Sequence, residues 1–175
     1  MAINILREVS RDGGRLPQSN GTSGAILSGM VLELANNGLN VQLSTSLSSA
    51  GTALPWGLAA ESNVQQPLQG PGGLTVGVGY DYTNFDRGGL ISVFQNGGSF
   101  ELFNDQGELA PLSPSGGNPF VIGDTFVSNN YVYAQVNTGL VTAVAAGNSA
   151  PIGSCISVTN AGSAADMVLQ IKLSI

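Results

Sequence analysis

A chain of 175 residues is long enough to bury a sizeable apolar core in a single domain without disulfides or metals, and too short for a multi-domain machine. Charged residues make up only 9% of it and glycine supplies 25 positions, while 42% is hydrophobic, so disorder is excluded and the surface must be built from Ser, Thr, Asn, Gln and Gly. A formal net charge of −6 excludes a phosphate-binding groove, because nucleic-acid partners require clustered Lys and Arg.

Little net repulsion opposes contact between weakly charged, amide-rich faces, so the composition points to a self-associating component of an assembly. There is no basic segment followed by an apolar one at Met1, and no apolar run of 18 or more residues. A protein without membrane contact and made without export is expected.

Residues 1–23 form the first distinct segment. Ile3, Ile5 and Val9 alternate with polar or basic neighbours, Gly13-Gly14 interrupts the helical spacing of Arg7, Arg11 and Arg15, and those arginines are three of the five basic residues in the chain. The segment reads as an extended N-terminal arm that lacks a core of its own. Ile3, Ile5, Arg7, Val9, Arg11 and Arg15 are its candidate binding residues: the apolar positions would add as a strand to an exposed sheet edge and the arginines would meet acidic groups.

From Gly24 to Ile175, short runs of Val, Leu, Ile, Phe and Tyr are separated by Gly, Asn and Ser at the spacing of an all-β sandwich or barrel. The expected strands are Met30 to Ala35, Leu39 to Ser44, Leu54 to Ala60, Leu74 to Tyr80, Leu90 to Gln95 and Ser99 to Asn104. Phe120 to Val127, Tyr131 to Asn137, Leu140 to Ala146, Ile152 to Val158 and Met167 to Ser174 follow. Asn37-Gly38, Asn96-Gly97 and Asn129-Asn130 supply the positive φ that tight turns need. Only Ser46 to Ala53 and Gly162 to Asp166 have room for a helical turn.

Laying Gly29 on Gly123 shows an internal repeat, residues 24–62 against 120–158. Each copy reads as strand, Asn-rich turn, strand, and then a Pro-x-Gly launching another strand: Pro55-Trp56-Gly57 in the first, Pro151-Ile152-Gly153 in the second. Between the copies lies an inserted β segment, 67–117, bounded by Gln69-Gly70-Pro71-Gly72-Gly73 and Ser113-Pro114-Ser115-Gly116-Gly117.

The sequence offers no catalytic constellation. It contains no histidine, which removes the commonest general base and metal ligand and every triad that depends on one. Cys155 lies in an apolar run without a cationic neighbour in sequence and reads as a buried, inert thiol. Asp81 and Asp86 read as solvated loop charges, since a spacing of five along a loop fixes neither a cleft nor a carboxylate separation. Asn104-Asp105-Gln106-Gly107-Glu108 lacks the full calcium-loop series and reads as a hairpin turn. The glycines of Gly70 to Gly79 precede no helix and no Lys-Ser/Thr pair, so they are not a phosphate loop. Asn20-Gly21-Thr22 has the form of a glycosylation sequon without a leader in front of it. No enzyme activity, cofactor or metal is expected. Trp56, between Pro55 and Gly57, is the candidate subunit-interface aromatic; the alternatives are a core or rim position and a sugar-stacking platform.

Two motifs, Gly123-Asp124-Thr125-Phe126 and Pro151-Ile152-Gly153, preceded by the similar Pro55-Trp56-Gly57-Leu58-Ala59, resemble the "G-D-x-V" strand and "P-x-G-V/I-A" strand of capsid decoration (cement) proteins of tailed bacteriophages. Gly29-Met30-Val31 lacks the aspartate in the first copy. The resemblance covers residues 24–62 and 120–158, under half of the chain. It implies a compact β-barrel or β-sandwich body of β-tulip-like form, a homotrimer on local three-fold axes, and the major capsid protein as partner. The implied location is the outer capsid surface of the virion, after synthesis in the host cytoplasm. Nucleic acid and membrane are not among the expected partners. The rival reading is a fibre or tail protein binding a receptor or glycan through loop residues such as Tyr80, Tyr82, Asn84 and Trp56. A small lipocalin-like binding barrel is the third.

Overall fold

A computed structural model describes residues 3–5, 15–17, 26–34, 41–43, 55–60, 90–95, 97–104 and 117–175. Eleven strands make up its regular structure: β1 (Ile3–Ile5), β2 (Arg15–Pro17), β3 (Val31–Leu34), β4 (Val41–Leu43), β5 (Pro55–Ala59), β6 (Leu90–Phe94), β7 (Gly98–Phe103), β8 (Tyr131–Ala134), β9 (Val141–Thr142), β10 (Pro151–Thr159) and β11 (Val168–Leu173). They form a six-stranded sheet in the order β1-β7-β11-β10-β8-β9 and a five-stranded sheet in the order β2-β6-β5-β3-β4, with every named strand pair antiparallel. The fold is all-β. The described strands form two open sheets, each with two edges, rather than a closed barrel.

Alternation of apolar and polar side chains sets the central ladder. Leu169, Ile171 and Leu173 of β11 face inward, and Ile171 stands opposite Phe100 while Leu169 stands opposite Leu102 of β7, all four being fully buried. Burying a side chain of this size is worth about 1.5–3 kcal/mol, so these two cross-strand pairs fix the register: a one-residue slip would turn all of them to solvent. The larger core cluster joins both sheets, with Ile3, Val31, Leu58 and Phe94 packed against Phe100, Leu102, Val132, Ile152 and Ile171. Phe94 and Phe100 meet across it as a tilted pair, centroids 5.2 Å apart. A second cluster gathers Ile26, Leu27, Met30, Leu32, Val41, Leu43, Ala59, Val93 and Leu140.

The repeat exists as a three-dimensional unit, in a register that differs from the glycine superposition. In the first unit the Met30 amide donates to the Leu27 carbonyl (3.1 Å), and in the second the Asn130 amide donates to the Val127 carbonyl (3.0 Å). The third residue of each turn has positive φ, Gly29 at 89° and Asn129 at 68°. Gly29 then donates to Ala59 O and Ala59 to Met30 O; likewise Asn129 donates to Cys155 O and Cys155 to Asn130 O. The hairpins match too, Leu34 facing Val41 in β3/β4 and Ala134 facing Val141 in β8/β9. The third strand returns beside the first with the same bulge: Leu32 faces Gly57 and Glu33 faces Pro55, while Val132 faces Gly153 and Tyr133 faces Pro151.

Gly29 therefore corresponds to Asn129 rather than Gly123, and β3 corresponds to β8. The expected strand from Phe120 to Val127 is absent: apart from one parallel bridge from Phe120 to Val141, this segment is irregular. Gly123 turns the chain at a φ of 97°, and the Asp124 carboxylate, not a neighbouring strand, takes the Ala143 amide (2.9 Å). Gly162 to Asp166 forms turns rather than a helix, closed by the Ser163 amide on Asn160 O and the Met167 amide on Ser163 O. The expected strand Leu74 to Tyr80, the turn Asn37-Gly38 and most of the insert 67–117 lie outside the described residues.

The glycine of each Pro-x-Gly is fixed by close approach. A Cβ on Gly153 would overlap the Lys172 carbonyl oxygen, with Lys172 C only 2.9 Å away, and a Cβ on Gly57 would overlap the Phe94 carbonyl oxygen and reach within 2.5 Å of Val93 Cγ1. Because the obstacles are backbone, Gly153→Ala must push β10 and β11 apart. It is expected to lower unfolding free energy by about 2–3 kcal/mol, seen as a lower urea midpoint at an unchanged slope.

Candidate functional site

The described residues singled out in the sequence as candidate contacts fall in two places, and the structure adds a third. Of the N-terminal segment, β1 is the edge strand of the six-stranded sheet, with Ile3 opposite Leu102 and Ile5 opposite Phe100. Ile3 is 3% exposed and belongs to the larger core cluster, so its side chain serves this chain's own core. The strand Arg15–Pro17 pairs with β6 as an edge of the other sheet. The strand addition expected of the arm is thus made, at these two places, to the body itself. Arg7, Val9 and Arg11 lie outside the described residues, and for Ile5 and Arg15 only the backbone is placed.

Trp56 occupies the skipped position of the β3/β5 bulge, equivalent to the fully buried Ile152 in the second unit. It is half-buried and packs against the second cluster, and its carbonyl accepts the Gln95 side-chain amide (2.9 Å). Its buried Nε1–H has no acceptor among the described residues. The indole is engaged from within the chain, as a lid on that cluster.

The third place was not anticipated. Among the described residues the large apolar side chains left exposed are Val127 (48%), Tyr131 (64%), Val144 (48%) and Ile156 (40%), and all lie in the second unit. Val127 and Tyr131 flank the Asn129 turn. Ile156 is the extra residue of a β10 bulge, next to Cys155, whose amide bonds the Asn130 carbonyl. Val144 lies just past the end of β9, its amide bonded to the Thr142 hydroxyl (3.1 Å). Tyr131 stands on the outer face of the six-stranded sheet, in one row with Ser154 and the exposed Lys172. A signal in the sequence would have found it: from Thr125 to Ala165 there is no Asp, Glu, Lys or Arg.

The loops beneath this face are held by side chains standing in for ladder partners. Asp124 Oδ2 accepts from the Thr142 hydroxyl and the Ala143 amide. Ser149 Oγ accepts from the Ala134 amide (2.8 Å), and Asn148 accepts from the Val136 amide (3.2 Å) while donating to Val144 O (2.9 Å). A neutral surface can bind backbone in this way without ion pairs.

Among the described residues there is no group of three or more His, Cys, Asp or Glu side chains able to hold a metal ion, and no helix long and apolar enough to cross a membrane. Cys155 is buried in the core, and that burial pushes its thiol pKa above the ordinary value of 9.0. Asp81, Asp86 and Asp105 lie outside the described residues. No family model, curated protein or solved structure matches this chain.

Two outcomes follow from this geometry. Asp124→Ala removes an acceptor shared by two donors and should cost about 1–3 kcal/mol of stability by denaturant melts. Because the folded state holds the Cys155 proton more tightly than the unfolded state, stability should fall as pH rises above the ordinary thiol pKa of 9.0. Cys155→Ser, measured by the same melts across pH, should remove that part of the slope.

Proposed function

We propose that this chain is a structural virion protein: a decoration protein that seats as a homotrimer on the outer surface of the expanded head of a tailed bacteriophage, binds the major capsid protein, and stabilises the shell. The observation that carries the reading is the twice-built unit of turn, hairpin and Pro-x-Gly strand. The Gly123-Asp124-Thr125-Phe126 motif immediately precedes the second copy, in irregular backbone, with Asp124 latched to the end of β9. The charge-poor composition supports the same reading, because a clip on a shell must associate with itself and with neighbours and needs no reactive groups.

Stabilisation follows from linkage. A ligand that binds only the expanded shell adds RT ln(1 + [L]/Kd), about 2.7 kcal/mol per site at a hundredfold excess over Kd, and three tethered contacts per trimer multiply the effect. The capsid contact falls to the arginine-bearing segment, Arg7, Arg11 and Arg15 with Ile5 and Val9. Ile3 is excluded because it is already committed to the core. Arginines at such a contact give orientation and a salt-sensitive association rate.

The test is the addition of purified protein to expanded and unexpanded heads. Binding confined to expanded heads, with a higher temperature of head disruption, is the expected result. The triple variant Arg7→Ala/Arg11→Ala/Arg15→Ala should keep its melting temperature and lose most of its occupancy, the loss growing smaller as salt is raised. A truncation would not serve, since it removes β1 and with it Ile3. Equal heat resistance of heads with and without the protein would sink the reading, and binding of the isolated protein to glycans instead would favour a fibre or tail role.

A further inference from the structure

β6 lies in the five-stranded sheet and β7 in the six-stranded one, and only Gln95, Asn96 and Gly97 carry the chain across. Phe94 before the crossing and Phe100 after it are both buried and pack together, and the Trp56 carbonyl holds the Gln95 side-chain amide (2.9 Å). Gly97 and Gly98 follow with φ of 92° and 114°, values that side chains disfavour. Asn96 itself lies outside the described residues, and its carboxamide is known from the sequence. In an Asn-Gly pair no side chain on the second residue shields its backbone nitrogen from the carboxamide carbon of the first. At the other asparagine turns that nitrogen is engaged: the Asn130 amide donates to Val127 O (3.0 Å), the Thr138 amide to Gln135 O (3.4 Å) and the Ser149 amide to Ala134 O (3.1 Å). None of these three asparagines precedes glycine. Gly97 differs on both counts. Its amide donates no hydrogen bond among the described residues, and the nearest atom to where a Cβ would stand is the Leu173 carbonyl oxygen, 3.7 Å away.

We infer that Asn96-Gly97 is a site of spontaneous covalent modification, at which the asparagine deamidates through a cyclic imide. The Gly97 backbone nitrogen loses its proton to solvent base and bonds to Asn96 Cγ. The Cγ–Nδ2 bond breaks, and the side-chain nitrogen takes a proton from water and leaves as ammonia. A second water then opens the ring at one of its two carbonyl carbons. Opening at Cγ restores the main chain and leaves aspartate; opening at the backbone carbonyl routes the main chain through Cβ and Cγ and leaves isoaspartate. No electrons are exchanged, and water is the one co-reactant. Either product adds a negative charge to a chain of net charge −6. Isoaspartate also adds a methylene to the main chain, in a short crossing whose ends are pinned: Leu58 stands opposite Phe94 in one sheet and Leu173 opposite Gly98 in the other. A close-packed interior has no room for the extra atom, so the Phe94 and Phe100 contact or one of those pairings must give. The change needs no enzyme and proceeds with time, so it marks the age of the folded chain. It goes beyond the virion role proposed above and does not depend on it.

The full chain, aged in mildly alkaline buffer either folded or in urea and then mapped by peptide mass spectrometry, tests this. The peptide holding Asn96 should grow heavier by the exchange of NH for O and become a substrate for an isoaspartyl methyltransferase. Its rate in the folded chain should stay within about threefold of the rate in urea, since no structural opening is needed to free the Gly97 amide. Folding should slow the peptides holding Asn129, Asn137 and Asn148 by about tenfold or more, because their following amides must first be released. Asn96→Gln and Asn96→Ser should both remain unmodified at this position and keep their melting temperature on ageing, whereas the unsubstituted chain should lose several degrees. Far-UV circular dichroism of the fresh proteins shows which variants are folded, and either one suffices for the comparison. Protection of Asn96 by folding of about tenfold or more overturns the site. A chain that is modified at Asn96 and keeps its melting temperature overturns the strain at the crossing and leaves the site standing.

Discussion

The contact between Gly153 and the Lys172 carbonyl holds the larger sheet together. β10 sits between β8 and β11, and at Gly153 it is paired on both sides at once, with Val132 and with Leu173. A bulge immediately before it shifts the register, so the backbone of β11 comes closer than any side chain at that position allows. The proline two residues earlier begins the strand where no ladder hydrogen bond is lost. Gly57 and Pro55 do the same for β5 in the smaller sheet, where the close neighbours are Phe94 and Val93. Each Pro-x-Gly is thus a seam at which a three-strand unit is joined to the next strand of its sheet.

What distinguishes the two units is the environment beyond their own strands. β3 is buried on both faces and β8 on one, although their turns, hairpin registers and bulges coincide. Sequence follows that difference: Val31 is replaced by Tyr131 and Leu27 by Val127 at corresponding positions. Tyrosine tolerates such a place because its ring is apolar and its hydroxyl stays wet, which is also why it is common where one protein surface meets another.

A surface with so few charges must satisfy its polar backbone by other means. The loops from Gly123 to Ala150 do this with Asp124, Thr138, Asn148 and Ser149, each bonding backbone groups of nearby loops or strands. Rigidity in the loops below the Tyr131 face therefore comes from short side chains with little rotamer entropy to lose, rather than from long ion pairs that salt would screen.

The sequence by itself determined the fold class, because alternation of apolar residues punctuated by Gly, Asn and Pro is a local property, and it located nine of the eleven described strands, β3 to β11, to within a few residues. The repeat was visible in Pro55-x-Gly57 and Pro151-x-Gly153, but its register was not: glycine and asparagine both adopt positive φ, so Gly29 matches Gly123 by letter and Asn129 by hydrogen bonds. Phe120 to Val127 has the composition of a strand, yet a ladder needs a partner, and Asp124 had already taken the donor. The fates of Ile3, Trp56 and Tyr131 were decided only by tertiary structure. All three are apolar residues in short β-like runs, and whether such a residue fills the core, caps a cluster or stands outward depends on which strand or loop from elsewhere in the chain comes to lie over it.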